Sequence, residues 1–135
     1  MQNHKTLSFN KEIYIHSDCL NSEEDTIFQI SHEIFHCLMP HGNVSPTFFE
    51  EGMATYFSIY ILKYFNYNTS NLNNPNNKYF QALDLVTRTK TYESNIIKKV
   101  RSIESHLSCA KKETILKFIN IGEEDLNLLL KDFYK

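Results

Sequence analysis

From Phe48 to Tyr67 the chain is apolar on nearly every side of a helix, and this segment limits the folds open to it more than any other. Met53, Phe57, Tyr60 and Tyr64 fall on one side, and Ala54, Ile61 and Phe65 on another. A helix that is apolar all round belongs at the centre of a structure. The tyrosines, and the pair Glu50-Glu51 at its head, argue for a core helix and against a membrane span. Ser45-Pro46 marks the start, with serine as cap and proline in the first turn. The chain of 135 residues reads as one domain, residues 1–135, large enough to bury about two-thirds of the surface its unfolded form exposes.

Just before this helix stands His32-Glu33-Ile34-Phe35-His36, an HExxH run. On a helix, residues four apart share a face, so His32 and His36 aim two imidazoles at one point. Imidazole suits Zn²⁺, whose catalytic sites take three protein ligands and a water. Glu33 follows the first histidine directly, which flanks the metal and lets it act as base towards the water. The third ligand must come from the next helix. Glu51 lies 15 positions after His36, beyond a loop short enough to pack the two helices side by side. Glu50 is the alternative, turned about 100° around the helix. Glu51 is preferred because Gly52 leaves room beside the metal. A further rival is His41, but its position fails the HExxHxxGxxH spacing, where Gly42 stands at the third histidine and Met39 at the glycine. One zinc per chain is therefore expected on His32, His36 and Glu51.

The apolar residues Ile27, Ile30, Ile34 and Leu38 recur at helical spacing through the motif. This first helix is expected to begin near Asn21 or Ser22, with Glu23, Glu24 and Asp25 on its positive end, and to stop before Pro40. Ahead of it, Leu7, Phe9, Ile13 and Ile15 alternate around Asn10-Lys11, which predicts a short β-hairpin. After an asparagine-rich loop over residues 66–77 come three helices. Tyr79, Leu83 and Val86 mark the first, and Ile96, Val100, Ile103 and Leu107 the second. Ile115 to Phe133, broken at Gly122, supplies the last. The expected class is α+β and mostly helical: a hairpin, the HExxH helix, the central apolar helix and three C-terminal helices.

The net charge is -2 with acids and bases interleaved, so no basic patch points to nucleic acid. No stretch reaches membrane-spanning length, and no membrane partner is expected. The N-terminal residues lack the apolar core of a signal peptide. The three cysteines, Cys19, Cys37 and Cys109, have no metal-binding spacing. Reduced thiols in a cytoplasmic protein are the simplest reading. Export without an N-terminal signal would leave no mark on the sequence.

HEIFH followed by EEGMATYF resembles the gluzincin metallopeptidases, and most closely small bacterial peptidase-like domains with HExxH, a short loop and Pro-x-x-x-Glu-Gly-x-Ala-x-Tyr. The resemblance covers residues 27–65 well and the C-terminal helices loosely. It implies a zinc-dependent peptide hydrolase acting on a peptide or protein, with His32, His36 and Glu51 as zinc ligands and Glu33 as catalytic base. Such domains usually place a larger β-sheet before the HExxH helix, whereas only about 30 residues precede it here. A substrate-binding edge strand would come from residues 7–16 or from a partner. The family also often supplies a tyrosine or histidine that stabilises the oxyanion. Tyr79, Tyr92 and His106 are the candidates, and Tyr79 is taken as the catalytic one. A competing class is a zinc-binding regulatory or protein-interaction module with little or no catalysis, recognising a partner through the hairpin edge. A small toxin or effector that cleaves one protein is a variant of the enzyme reading.

Overall fold

The computed structural model describes residues 12–39, 44–72, 74–93 and 95–135. Ser22 opens α1 (Glu23–Cys37), its hydroxyl accepting the Asp25 N–H at 3.2 Å, and three acids fill the first turn. One side of α1 lies on the central helix and buries Ser31, His32 and Phe35. Of the apolar stripe, Ile27 and Ile30 are half-buried but the C-terminal pair is not. Ile34 is 41% and Leu38 56% exposed, because the helix is rotated to turn its histidines inward and these two residues point away.

The central helix is α2 (Phe48–Tyr64), in which every residue from Phe48 to Thr55 is buried. Its cap is Thr47, whose hydroxyl accepts the Glu50 N–H, so the helix starts two residues later than Ser45-Pro46 suggested. Helix α2 packs between α1 and α3 (Lys78–Arg88). Gly52 makes the second contact close: a Cβ there would stand 2.5 Å from the Ala82 carbonyl oxygen and 2.7 Å from Val86 Cγ1. The first half of α2 is buried on every side, whereas beyond it only one side, with Ser58 and Leu62, stays buried. Tyr60 and Tyr64, expected in the core, emerge at the far end and are exposed.

Beyond α3 the chain makes α4 (Ile96–Arg101), a 3-10 turn at Leu107–Cys109, α5 (Lys112–Leu116) and α6 (Glu123–Leu129). The stripe from Ile96 to Leu107 is not one helix. It stops at Arg101, Ile103 is exposed, and Leu107 is buried from the separate turn. The last segment breaks at Gly122 as expected, into α5 and α6 separated by residues 117–122, with Gly122 as the cap of α6.

The α+β assignment is overturned. Among the described residues there is no strand, and residues 12–16 have no regular structure, with Tyr14 largely exposed. Leu7, Phe9, Asn10 and Lys11 lie outside the described residues. Two short alternating runs give a strand pair little stability unless a third strand or a packed face supports it. The β-type contact present is an isolated antiparallel bridge between Thr47 and Asp132, in which Phe48 N–H donates to Lys131 O and Phe133 N–H to Pro46 O. This bridge ties the C-terminal tail to the head of α2. No helix among the described residues is long and apolar enough to cross a membrane.

Candidate metal centre

His32 and His36 leave the buried face of α1 one turn apart, and the head of α2 meets them with Glu50 and Glu51. His32 Nε2 lies 2.8 Å from Glu51 Oε2 and 3.1 Å from His36 Nε2, and His36 Nε2 lies 3.4 Å from the same Glu51 oxygen. Two imidazole nitrogens and one carboxylate oxygen thus enclose a single point. Tetrahedral ligands at zinc bond lengths of about 2.0–2.2 Å stand roughly 3.3–3.6 Å apart. The triangle is a few tenths of an ångström tighter than that, which side-chain motion can absorb. The donor set is borderline nitrogen with one hard oxygen, the chemistry of a divalent transition ion. His32, His36 and Glu51 form a group able to hold a metal ion.

The surroundings of the three ligands differ. An ionised carboxylate has no proton to give, so His36 Nδ1–H must donate to Glu50 Oε1, 2.7 Å away. The other Glu50 oxygen accepts from the Ser108 hydroxyl. On His32 the second ring nitrogen, Nδ1, is buried with no hydrogen-bond partner among the described residues. Its ring is held by packing instead, stacked on Phe28 at 6.3 Å and edge-on to Tyr79 at 5.5 Å. Glu51 is 2% exposed, and its Oε1 accepts a long contact of 3.4 Å from the Tyr134 hydroxyl.

The electrostatics of these side chains follow from this crowding. Burial pushes the His36 pKa down, but the hydrogen bonds to Glu50 and Glu51 and their charges outweigh it and raise it to about 10. Burial pushes Glu51 up, and its hydrogen bonds to His32 and His36 outweigh that, holding it at about 2. Glu50 is lowered in the same way, burial being overcome by His36 and Ser108. The Tyr134 phenol is raised by burial and by its neighbours Tyr79 and Glu51, so it stays protonated and donates.

Glu33 stands on the rim of the same opening, a cleft of about 1020 Å³ also lined by Tyr14, His16, Phe28, Phe80 and Tyr134. That volume is at the upper end of the range for ligand clefts.

Sequence reasoning grouped His32, His36 and Glu51, and the structure gathers the same three, with Glu33 in the lining of the same cleft. The reason given for Glu51 was wrong: Gly52 faces α3 and leaves no space at the ligands. Glu50 contacts the opposite side of the His36 ring, which decides between the two acids on geometry. His41 lies outside the described residues. Of the late residues, Tyr79 touches His32, Tyr92 packs on Tyr56 away from the ligands, and His106 stands behind Glu50, 3.5 Å from its Oε2. Ser108 and Tyr134 were missed. No local motif marks either one, since each reaches the site through a tertiary contact: the turn at Leu107–Cys109 and the tail bridge. No protein-family model, curated protein or solved structure matches this chain.

Proposed function

We propose that this chain is a zinc-dependent peptide hydrolase of the gluzincin type. The observation that carries the reading is the convergence of His32 Nε2, His36 Nε2 and Glu51 Oε2 on one point at the wall of an open cleft that also holds Glu33. A bound Zn²⁺ supplies Lewis acidity and lowers the pKa of water towards 7. Glu33 is the base that takes the proton of the attacking water and hands it to the leaving amine, a contribution of typically 10²–10⁴-fold. Tyr79, whose hydroxyl stands 3.4 Å from that of Tyr134 in the cleft lining, is the donor to the substrate carbonyl oxygen in this reading, while the Tyr134 O–H is given to Glu51. The cleft, not a sheet edge, receives the substrate. Cys37 and Cys109 are free thiols, which fits work in a reducing compartment such as the cytoplasm.

The absence of a strand among the described residues favours a second reading, a zinc-binding regulatory module that keeps the site without turnover. One experiment separates the two. Purified chain should contain one zinc and cleave members of a mixed protein library. Glu33→Gln should keep the zinc and the fold but lose cleavage. Zinc content without cleavage in the wild type supports the module. Activity in Glu33→Gln near the wild-type level removes Glu33 as base.

A further inference from the structure

Glu50 is 3% exposed and lies outside the ligand triangle, yet both of its carboxylate oxygens are held. Its Oε1 takes the His36 Nδ1–H at 2.7 Å. Its Oε2 takes the Ser108 hydroxyl. Ser108 Oγ in turn accepts the Thr47 N–H at 3.0 Å, so the serine is fixed to the very turn that presents Glu50. The Ser108 N–H donates to His106 Nδ1 at 3.0 Å, which fixes the 3-10 turn carrying the serine. A buried carboxylate is costly unless its lone pairs are used, and here both oxygens are used.

We propose that Glu50, clamped by Ser108, is the positioning residue of the metal centre, an assignment that rests on the zinc reading above. A carboxylate on Nδ1 leaves that nitrogen with the proton and turns the Nε2 lone pair towards His32 Nε2 and Glu51 Oε2. It therefore sets both the tautomer and the ring angle that a ligand needs, and raises the basicity of the ligating nitrogen. His32 has no such partner among the described residues and relies on Phe28 and Tyr79 for its angle. The orientation of the two histidines is thus unequal. The residue that secures the second one comes from a turn 58 positions beyond Glu50 in the sequence. Metal affinity is coupled through Ser108 to the packing of the C-terminal half of the molecule.

The test is zinc affinity by chelator competition, read beside the melting temperature of the metal-free protein, for wild type, His36→Ala, Glu51→Ala, Glu50→Ala, Glu50→Gln and Ser108→Ala. His36→Ala and Glu51→Ala should lose tight zinc altogether. Glu50→Ala should still bind one zinc, about 10–100-fold more weakly, the range typical for loss of a partner of this kind. Glu50→Gln keeps an acceptor for Nδ1–H with nearly the same shape, so it should recover part of the affinity and guards against a folding failure in Glu50→Ala. Ser108→Ala should fall between Glu50→Gln and wild type. A folded Glu50→Ala or Glu50→Gln with wild-type affinity overturns the positioning role while the ligand set stands. Complete loss of zinc in Glu50→Gln, equal to that in Glu51→Ala, also overturns it by making Glu50 a ligand. Tight zinc retained by His36→Ala overturns the site itself, whatever Glu50 does.

Discussion

His36 meets a carboxylate at each of its ring nitrogens, Glu50 at Nδ1 and Glu51 at Nε2, and in the metal-free protein this makes it a cation between two anions. Its pKa is raised from 6.5 to about 10. A raised histidine contributes stability that is fully present below 6.5 and is lost as the pH climbs through about 10. Glu51 is shifted the other way, from 4.5 to about 2. Its contribution is fully present above 4.5 and is lost as the pH falls through about 2. Chelator-treated protein should therefore be most stable between about pH 4.5 and 6.5 and weaken progressively towards alkaline pH. His36→Gln removes the titrating group, so its alkaline slope should be visibly flatter. Melting temperatures measured from pH 5 to 10 decide this, and parallel curves for the two proteins would show that His36 is not charged by its neighbours.

At the scale of elements, the contact between α2 and α3 turns on a single missing side chain. A Cβ at position 52 would meet a backbone oxygen of α3 at 2.5 Å, and backbone cannot swing aside as a flexible side chain can. Alanine is a better helix former than glycine by about 1 kcal/mol. Overpacking of a tight core contact costs typically about 1–3 kcal/mol. Gly52→Ala should therefore be destabilised on balance, with a lower urea midpoint and little change in the denaturant slope. A rise in the midpoint would mean the two helices can separate freely. The sequence announced this glycine but not its purpose, and the same split runs through the fold. Ser22 before three acids and the apolar run after Phe48 are local signals, and both helices formed close to where those signals lie. Helix phase was misread, because Ile34 and Leu38 are apolar and only the tertiary demand on His32 and His36 turns them outward. The hairpin was misread because alternation describes a strand only where another strand or a packed face receives it. The His32–His36 pair was legible because i, i+4 spacing is itself geometry. Ser108 and Tyr134 were not, since nothing near them in sequence says what they touch.

At the scale of the molecule, the C-terminal tail packs on the heads of α2 and α3, beside the candidate metal centre. Phe133 is 2% exposed and packs its ring against Phe48 at 5.1 Å and Tyr79 at 4.9 Å. Lys78 adds its ammonium to the Phe133 carbonyl oxygen and over the Phe133 ring. Truncating a buried phenylalanine to alanine costs about 3–5 kcal/mol, a large share of the stability of a domain this size. Phe133→Ala should lower the urea midpoint of the metal-free protein sharply. None of the three ligands lies on the tail, so an ion that binds only the native state should still stabilise the variant. That increment is RT ln(1 + [L]/Kd), about 2.7 kcal/mol at a hundredfold excess over Kd. Denaturation with and without zinc, at one free zinc concentration about a hundredfold above the wild-type Kd, should give the same increment for wild type and Phe133→Ala and almost none for His36→Ala. An unchanged Kd in Phe133→Ala would place the tail's role in holding the fold and the Tyr134 hydroxyl, not the ion. A Kd weakened as much as in Glu50→Ala would instead make the tail part of the metal centre, through the contact of Tyr134 with Glu51.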